Sequence, residues 1–231
     1  MASPALPAST RRLSAPIVTL LPTAPVPPLS RLPEAVGQPP DLTPLSPEAA
    51  RALGDGLVIR WGWHDSPFGR VLLADSDRGL CWLGFERAED GRDGLTELAA
   101  AWPDARRVSD PQATRPLADR LFDAPTAPPP PLLLKGTAFQ IAVWRALMRI
   151  PPGAVASYEA VAHAVGNPAA LRAVGAAGGR NPVCVLVPCH RAVQKSGVIH
   201  RYRYGVPLKQ ALLAWEQGRC EPERRATRPP P

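Results

Sequence analysis

The stretch Tyr158–Gly179, YEAVAHAVGNPAALRAVGAAGG, decides the fold. Residues 158–166 and 169–179 each read as a short helix, joined across the turn-forming Asn167-Pro168. Two short helices around a tight, Gly-containing break predict a helix-turn-helix. The second is built from Ala and Gly and carries one long side chain, Arg172, so it is able to lie close to a neighbour. A DNA groove and an adjacent helix satisfy that pattern equally well.

Upstream, GTAFQIAVWRALMRI (136–150) opens with Thr137 and, three residues on, Gln140, the signature of a capping box. Phe139, Val143, Leu147 and Ile150 then share one helical face, and Pro151-Pro152-Gly153 ends the helix. Downstream, Val185–Val187 in NPVCVLVPCHR (181–191) predicts a buried strand, stopped by Pro188. A thiol, an imidazole and a guanidinium follow at Cys189, His190 and Arg191, at the kind of exit where scaffolds display functional groups. The segment LKQALLAWEQG (208–218) reads as a helix with Glu216 near its end.

Earlier in the chain, LVIRWGW (57–63), FGRVLLAD (68–75) and GLCWLGF (79–85) predict three strands separated by turns. GLTELAAAW (94–102) and ATRPLADRLF (113–122) predict helices, and APTAPPPPLLL (124–134) a semi-rigid spacer. Twelve of the 31 prolines fall in the first fifty residues, so the start is expected to be disordered. The expected organisation is a disordered leader (1–54), an α+β domain (55–124), a Pro-rich linker (125–134), a helix-turn-helix domain (135–219) and a disordered tail (220–231).

Charge divides unevenly. From Lys135 onward there are 14 Lys and Arg against four acids, a net of +10; before it, 13 against 16 give −3. A basic second half fits a polyanionic partner. The four cysteines, Cys81, Cys184, Cys189 and Cys220, have neither metal-finger nor CxxC spacing, which points to a reducing compartment. No apolar run is long enough to span a bilayer, and Arg11-Arg12 sits in a leader too interrupted by proline for an export signal. A cytoplasmic location with no membrane partner is expected.

Cysteine attacks as the thiolate, so Cys189 needs help to ionise. His190 is the candidate base. On an extended chain adjacent side chains diverge, which favours a proton path through a bridging water. A base of this kind needs an acid to fix its tautomer, and acids are scarce in the basic half. Glu216 alone is embedded in an apolar helical face, so it is the candidate orienter. Cys81, among apolar neighbours, reads as structural.

Together GTAFQIAVWRAL, IPPGAVASYEAVAHAVGNPAALRAVGAAGGRNPVCVLVPCHRAVQKSG and YRYGVPLKQALLAWE closely resemble the O6-alkylguanine-DNA alkyltransferases, the methylated-DNA–protein-cysteine methyltransferases. The resemblance runs from Gly136 to Glu216. The weaker HDSPFGRVLLADSDRGLCWLGF resembles the N-terminal domain of that family, and its lead-in LSPEAARALGDGLVIRWGWHDSPFG is similar to the bacterial Ada proteins. It implies an α+β chain with a small ribonuclease-H-like N-terminal domain and a winged-helix-like helix-turn-helix alkyltransferase domain.

The resemblance also implies roles. Cys189 accepts the alkyl group from O6 of guanine, once and without a cofactor or metal. His190 takes the thiol proton through water, and Glu216 orients it. Tyr158 donates to the base, Lys209 lies near the thiol, and Asn181 is the hinge tying the helix-turn-helix to the active-site turn. Arg172 enters the stack as the nucleotide flips out, and Ala170 permits close approach through the minor groove. Arg180 and Arg191 are expected on the DNA side, Arg180 as a phosphate contact. The partner is double-stranded DNA containing O6-alkylguanine, met by a monomer. Arg201, where relatives carry small residues, is expected to narrow the pocket against large adducts. A non-catalytic damage binder of this family would lack the cysteine of PCHR, and a thiol hydrolase would need neither the helix-turn-helix nor the basic bias.

Overall fold

A computed structural model describes residues 42–44, 54–87, 93–123 and 128–226. The chain contributes β1 (Leu42–Pro44), β2 (Val58–Ser66), β3 (Gly69–Ser76) and β4 (Gly79–Phe85), then α1 (Gly94–Ala101), β5 (Arg106–Ser109) and α2 (Pro111–Phe122). β6 (Leu132–Leu134), α3 (Ala138–Met148), β7 (Ala156–Ser157), α4 (Tyr158–Ala164) and α5 (Leu171–Gly179) follow. A 3-10 turn at Cys189–Arg191 leads into β8 (Ala192–Val193), and α6 (Val206–Ala226) ends the described chain. The architecture is mixed α+β.

Six strands form one sheet in the order β1-β6-β4-β3-β2-β5. Its centre is the antiparallel meander β2-β3-β4, flanked by parallel pairings of β5 on β2 and β6 on β4. Side chains alternate across the sheet. Val71, Leu73, Leu83 and Phe85 face α2 through Ala118, Leu121 and Phe122, and this core continues into α3. Leu72, Ala74, Cys81 and Trp82 face the other way and are covered by Leu98 and Trp102. β4 is buried along its whole length, as expected of a central strand.

The helix starts follow local chemistry. Thr137 Oγ1 accepts from Gln140 N at 3.2 Å while Gln140 Oε1 accepts from Thr137 N at 2.8 Å, so the capping box is formed. Asp110 accepts from Ala113 N, and Pro111 occupies the first turn, so α2 begins two residues before the predicted start.

Several expectations are corrected. The spacer does not stay outside the fold: Leu132, Leu133 and Leu134 form a fully buried strand. β1, inside the stretch expected to be disordered, pairs parallel with that strand, while most of 1–54 lies outside the described residues. The tail expected from residue 220 continues α6 to Ala226, and 227–231 lie outside the described residues. β5 was not predicted.

Two backbone hydrogen bonds tie the sheet to the basic half. Leu83 N donates to Pro182 O at 2.9 Å, and Cys184 N donates to Leu83 O at 3.0 Å, tying the approach to Cys189 to the central strand. At Gly62, an added Cβ would lie 2.6 Å from both Pro111 Cα and Thr114 Oγ1, so only glycine lets α2 sit this close to β2. Gly62→Ala is therefore expected to cost about 1–3 kcal/mol, read as a lower urea midpoint with unchanged slope.

Candidate active site

The predicted strand before Cys189 is a pair of tight turns instead. Val183 makes an isolated bridge to Leu83, and the chain then folds back. Leu186 N donates to Cys184 O at 2.9 Å around Val185, whose φ of 72° is left-handed, the geometry of a γ-turn. Cys189 N donates to Val187 O at 2.8 Å around Pro188 (φ −81°, ψ 63°), an inverse γ-turn. A β-branched residue in the left-handed region is strained, so surrounding bonds must hold it.

Asn181 supplies them. Its Nδ2 donates to Val187 O at 2.7 Å and to Cys189 Sγ at 3.2 Å, while Oδ1 accepts from Val183 N at 3.0 Å. One buried amide thus closes both turns and touches the thiol. Because Cys189, His190 and Arg191 lie on a 3-10 turn, the premise of alternating side chains on an extended chain does not apply to them.

Glu216 sits ten residues into α6 rather than near its end, and it gathers this turn. Its Oε1 lies 2.8 Å from His190 Nε2. Arg191 Nε donates to both carboxylate oxygens at 3.1 and 3.0 Å, Nη2 donates to Oε1 at 2.8 Å, and Nη1 donates to Ile150 O. Gly153 N donates to Oε2 at 3.3 Å. His190 is fully buried and Glu216 only 4 % exposed. Burial alone would raise the carboxyl, but the charges of His190 and Arg191 outweigh it and hold it down at about 2.

With Nε2 facing the carboxylate, the ring hydrogen is assigned to Nε2. Nδ1, buried and without a protein partner among the described residues, is then the basic atom. Arg191 is corrected: its guanidinium is turned inward onto Glu216 and not toward a DNA surface.

The Cys189 thiol is pulled down to about 6. The hydrogen bond of Cys184 to its sulfur contributes most; burial opposes, and Asn181, His190 and Lys209 add to the fall. Lys209 is buried, donates to Ala192 O, and lies 5.7 Å over the Tyr158 ring and 5.9 Å over that of Tyr202. Burial lowers its ammonium to about 8, against the pull of the Cys189 sulfur. Tyr158 is raised, first by burial and then by that sulfur. It reaches the site because β7 pairs with β8, which locks the start of α4 to the segment after the 3-10 turn.

The remaining predicted residues divide by surface. Val174 and Ala177 pack α5 inward, and Trp144 Nε1 donates to Ala177 O at 3.0 Å. Arg172, Ala173, Gly175, Ala176, Gly179 and Arg180 are exposed, and Ala170 is half-buried at the helix start. The small residues therefore serve both alternatives, with the larger share facing solvent. Arg201 is exposed, and it is the next residue, Tyr202, whose ring packs under Lys209. Sequence reasoning passed over Tyr202 and Cys184. The aromatic repeat Tyr202-Arg203-Tyr204 was the only signal for the first, and the approach of Cys184 to Cys189 left none. Among the described residues, no group of three or more His, Cys, Asp and Glu side chains is placed to hold a metal ion.

A family model described as 6-O-methylguanine DNA methyltransferase, DNA binding domain, matches residues 138–218. The bifunctional transcriptional activator/DNA repair enzyme Ada of Escherichia coli is 36% identical over 167 residues, covering 71% of this chain and 47% of Ada, so the chain spans about half of that relative. A methylated-DNA–protein-cysteine methyltransferase of Methanosarcina acetivorans is 36% identical over 159 residues, covering 68% of this chain and 96% of that protein. The crystal structure of Mycobacterium tuberculosis OGT in complex with DNA is similar with a TM-score of 0.55 and 32% identity, covering 70% of this chain and 94% of that one.

Proposed function

Because this chain belongs to the methylated-DNA–protein-cysteine methyltransferase family, we propose that it repairs DNA directly, moving an alkyl group from O6 of guanine to Sγ of Cys189. The observation that carries the reading is the buried thiol of Cys189, held by Asn181 and favoured as thiolate, next to His190 on Glu216. In the proposed step the thiolate attacks the alkyl carbon in line, the S–C bond forms, and the C–O bond breaks with its electron pair left on the guanine. The base then takes up a proton, with Tyr158 as the donor beside it. His190 Nδ1 receives the thiol proton through water, and Glu216 stabilises the imidazolium that results. Lys209 balances the thiolate before the attack. The thioether product has no hydrolytic route back, so each molecule acts once.

The target atom lies out of reach inside a duplex, so the nucleotide must be flipped, at a cost of a few kcal/mol. The exposed small residues of α5 allow a backbone to approach the minor groove, with Ala170 at its lip. Arg172, exposed on that helix, fills the space of the extruded nucleotide, and Arg180 contacts a phosphate. We read β2–β5 with α1 and α2 (55–124) as a ribonuclease-H-like unit, its sheet extended by β1 and β6, and 135–219 as a winged-helix-like one. The active species is a cytoplasmic monomer on double-stranded DNA.

The test is intact-protein mass after mixing with excess O6-methylguanine duplex. One added methylene per chain, mapped to Cys189 and unchanged by more DNA, is expected. Continued release of product without a mass change would instead mark a thiol hydrolase, and no change despite binding a damage sensor.

A further inference from the structure

Two buried cysteines, Cys81 and Cys184, form no bond in the proposed transfer. Of the three described cysteines, all free and buried, Cys81 donates to Ala74 O at 3.4 Å inside the sheet and is held firmly as a thiol. Cys184 is different, because it is buried in the same core cluster as Cys189. Both side chains meet Asn181: its Nδ2 lies 3.2 Å from Cys189 Sγ, and its carbonyl oxygen 4.0 Å from Cys184 Sγ.

The backbone explains how residues five positions apart come together. An extended strand from Cys184 to Cys189 would part their Cα atoms by roughly 17 Å. A disulfide needs them within about 7 Å. The γ-turns at Val185 and Pro188, together with the bond from Val187 N to Val183 O at 3.0 Å, fold the segment back on itself. The left-handed Val185 lies immediately after Cys184, so the strained residue is part of what turns the two thiols into one core cluster.

We propose that Cys184 and Cys189 form a reversible thiol–disulfide pair that reacts with hydrogen peroxide, with Cys189 attacking the oxidant and Cys184 resolving the product. The Cys189 thiolate attacks one peroxide oxygen. The O–O bond breaks, and the leaving hydroxide takes a proton to become water. Cys189 is then a sulfenic acid. Cys184 sulfur attacks the Cys189 sulfur, the S–O bond breaks, and a second water leaves. Two thiols have lost two electrons and two protons, and one peroxide has become two waters.

The hydrogen bond to the Cys189 sulfur, and after it burial, keep Cys184 protonated in the reduced state. Oxidation of Cys189 removes the neighbouring thiolate charge, one of the causes that hold Cys184 protonated. The pair protects the acceptor. A lone sulfenic acid is carried on by further peroxide to the irreversible sulfinic acid, whereas a disulfide is restored by a dithiol. For a thiol used once, irreversible oxidation would spend the molecule without repair. The protective consequence rests on the proposed alkyl transfer; the disulfide chemistry does not.

The experiment exposes the reduced full-length chain to equimolar hydrogen peroxide and maps the tryptic peptide 181–191, which contains both cysteines. The expected product is that peptide less two hydrogens and without added oxygen, returned to the dithiol by dithiothreitol. Cys184→Ser should instead gain oxygen at Cys189 and resist full recovery. Wild-type protein that gains oxygen at Cys189 while Cys184 stays alkylatable would overturn the proposal, and this holds whether or not the variant folds. Methyl uptake is measured on the same preparation before and after peroxide, with loss and dithiothreitol recovery expected. Uptake without a disulfide sinks only the redox pair, and a disulfide without any uptake sinks only the repair reading.

Discussion

Glu216→Ala is expected to cost about 3–5 kcal/mol of folding stability and to abolish alkyl uptake. The carboxylate is the shared acceptor of Gly153 and of the adjacent His190 and Arg191, so it joins two separate parts of the chain to α6. Removing it leaves the buried Arg191 guanidinium with Ile150 O as its one remaining acceptor among the described residues, and an uncompensated buried charge is far more costly than the pair was favourable. His190 loses the acceptor that fixes its tautomer. Glu216→Gln keeps the shape and one acceptor oxygen, so it should fold better but still transfer slowly, because a neutral amide stabilises the imidazolium poorly.

Acid separates the charge from the packing. The Glu216 carboxyl is held at about 2, below its ordinary 4.5, so its contribution is fully present above pH 4.5 and is lost as pH falls toward 2. The shift corresponds to on the order of 3 kcal/mol. Urea midpoints taken between pH 5 and 2 should fall more steeply for the wild type than for Glu216→Gln. Parallel profiles would mean that the charge of Glu216 does not hold this turn together.

The comparison of sequence with structure follows the range of each cause. The α3 capping box and the meander β2-β3-β4 were legible because caps and turns are made within a few residues. Arg191 was misplaced on the surface because arginine is rarely buried unless paired. Its partners are Glu216, 25 positions on, and Ile150 O, 41 positions back, and nothing local announces either. The run Val185–Val187 has every compositional mark of a strand. Asn181 and the edge of Leu83 override that propensity, bending the chain at a valine whose left-handed φ no sequence rule would assign. Leu132–Leu134 was hidden by the prolines before it, although three successive leucines are what a strand buried on both faces requires. Glu216 was found only because acids are scarce in the basic half.

The second large effect is expected at Asn181, which touches sulfur and backbone together. Asn181→Asp is nearly isosteric, yet it exchanges an N–H donor 3.2 Å from Cys189 Sγ for a second acceptor with a negative charge. Two like charges about 4 Å apart repel by about 4 kcal/mol at the effective dielectric of a protein. That raises the thiol by roughly three pH units and lowers the thiolate fraction at neutral pH on the order of 10²-fold. Single-turnover rates from pH 5 to 10 provide the check. In the wild type the rate should rise through about 6 as Cys189 ionises and decline above about 8 as Lys209 gives up its proton and the thiolate loses that positive neighbour. In Asn181→Asp the rise should move to alkaline pH, so the deficit is largest near neutrality and shrinks above pH 9. Asn181→Leu removes the donor without adding charge and should shift the rise by a smaller amount. If Asn181→Asp lowers the rate by one factor at every pH, the amide acts only by holding the two γ-turns closed, and the low Cys189 pKa must come from Cys184, His190 and Lys209 alone.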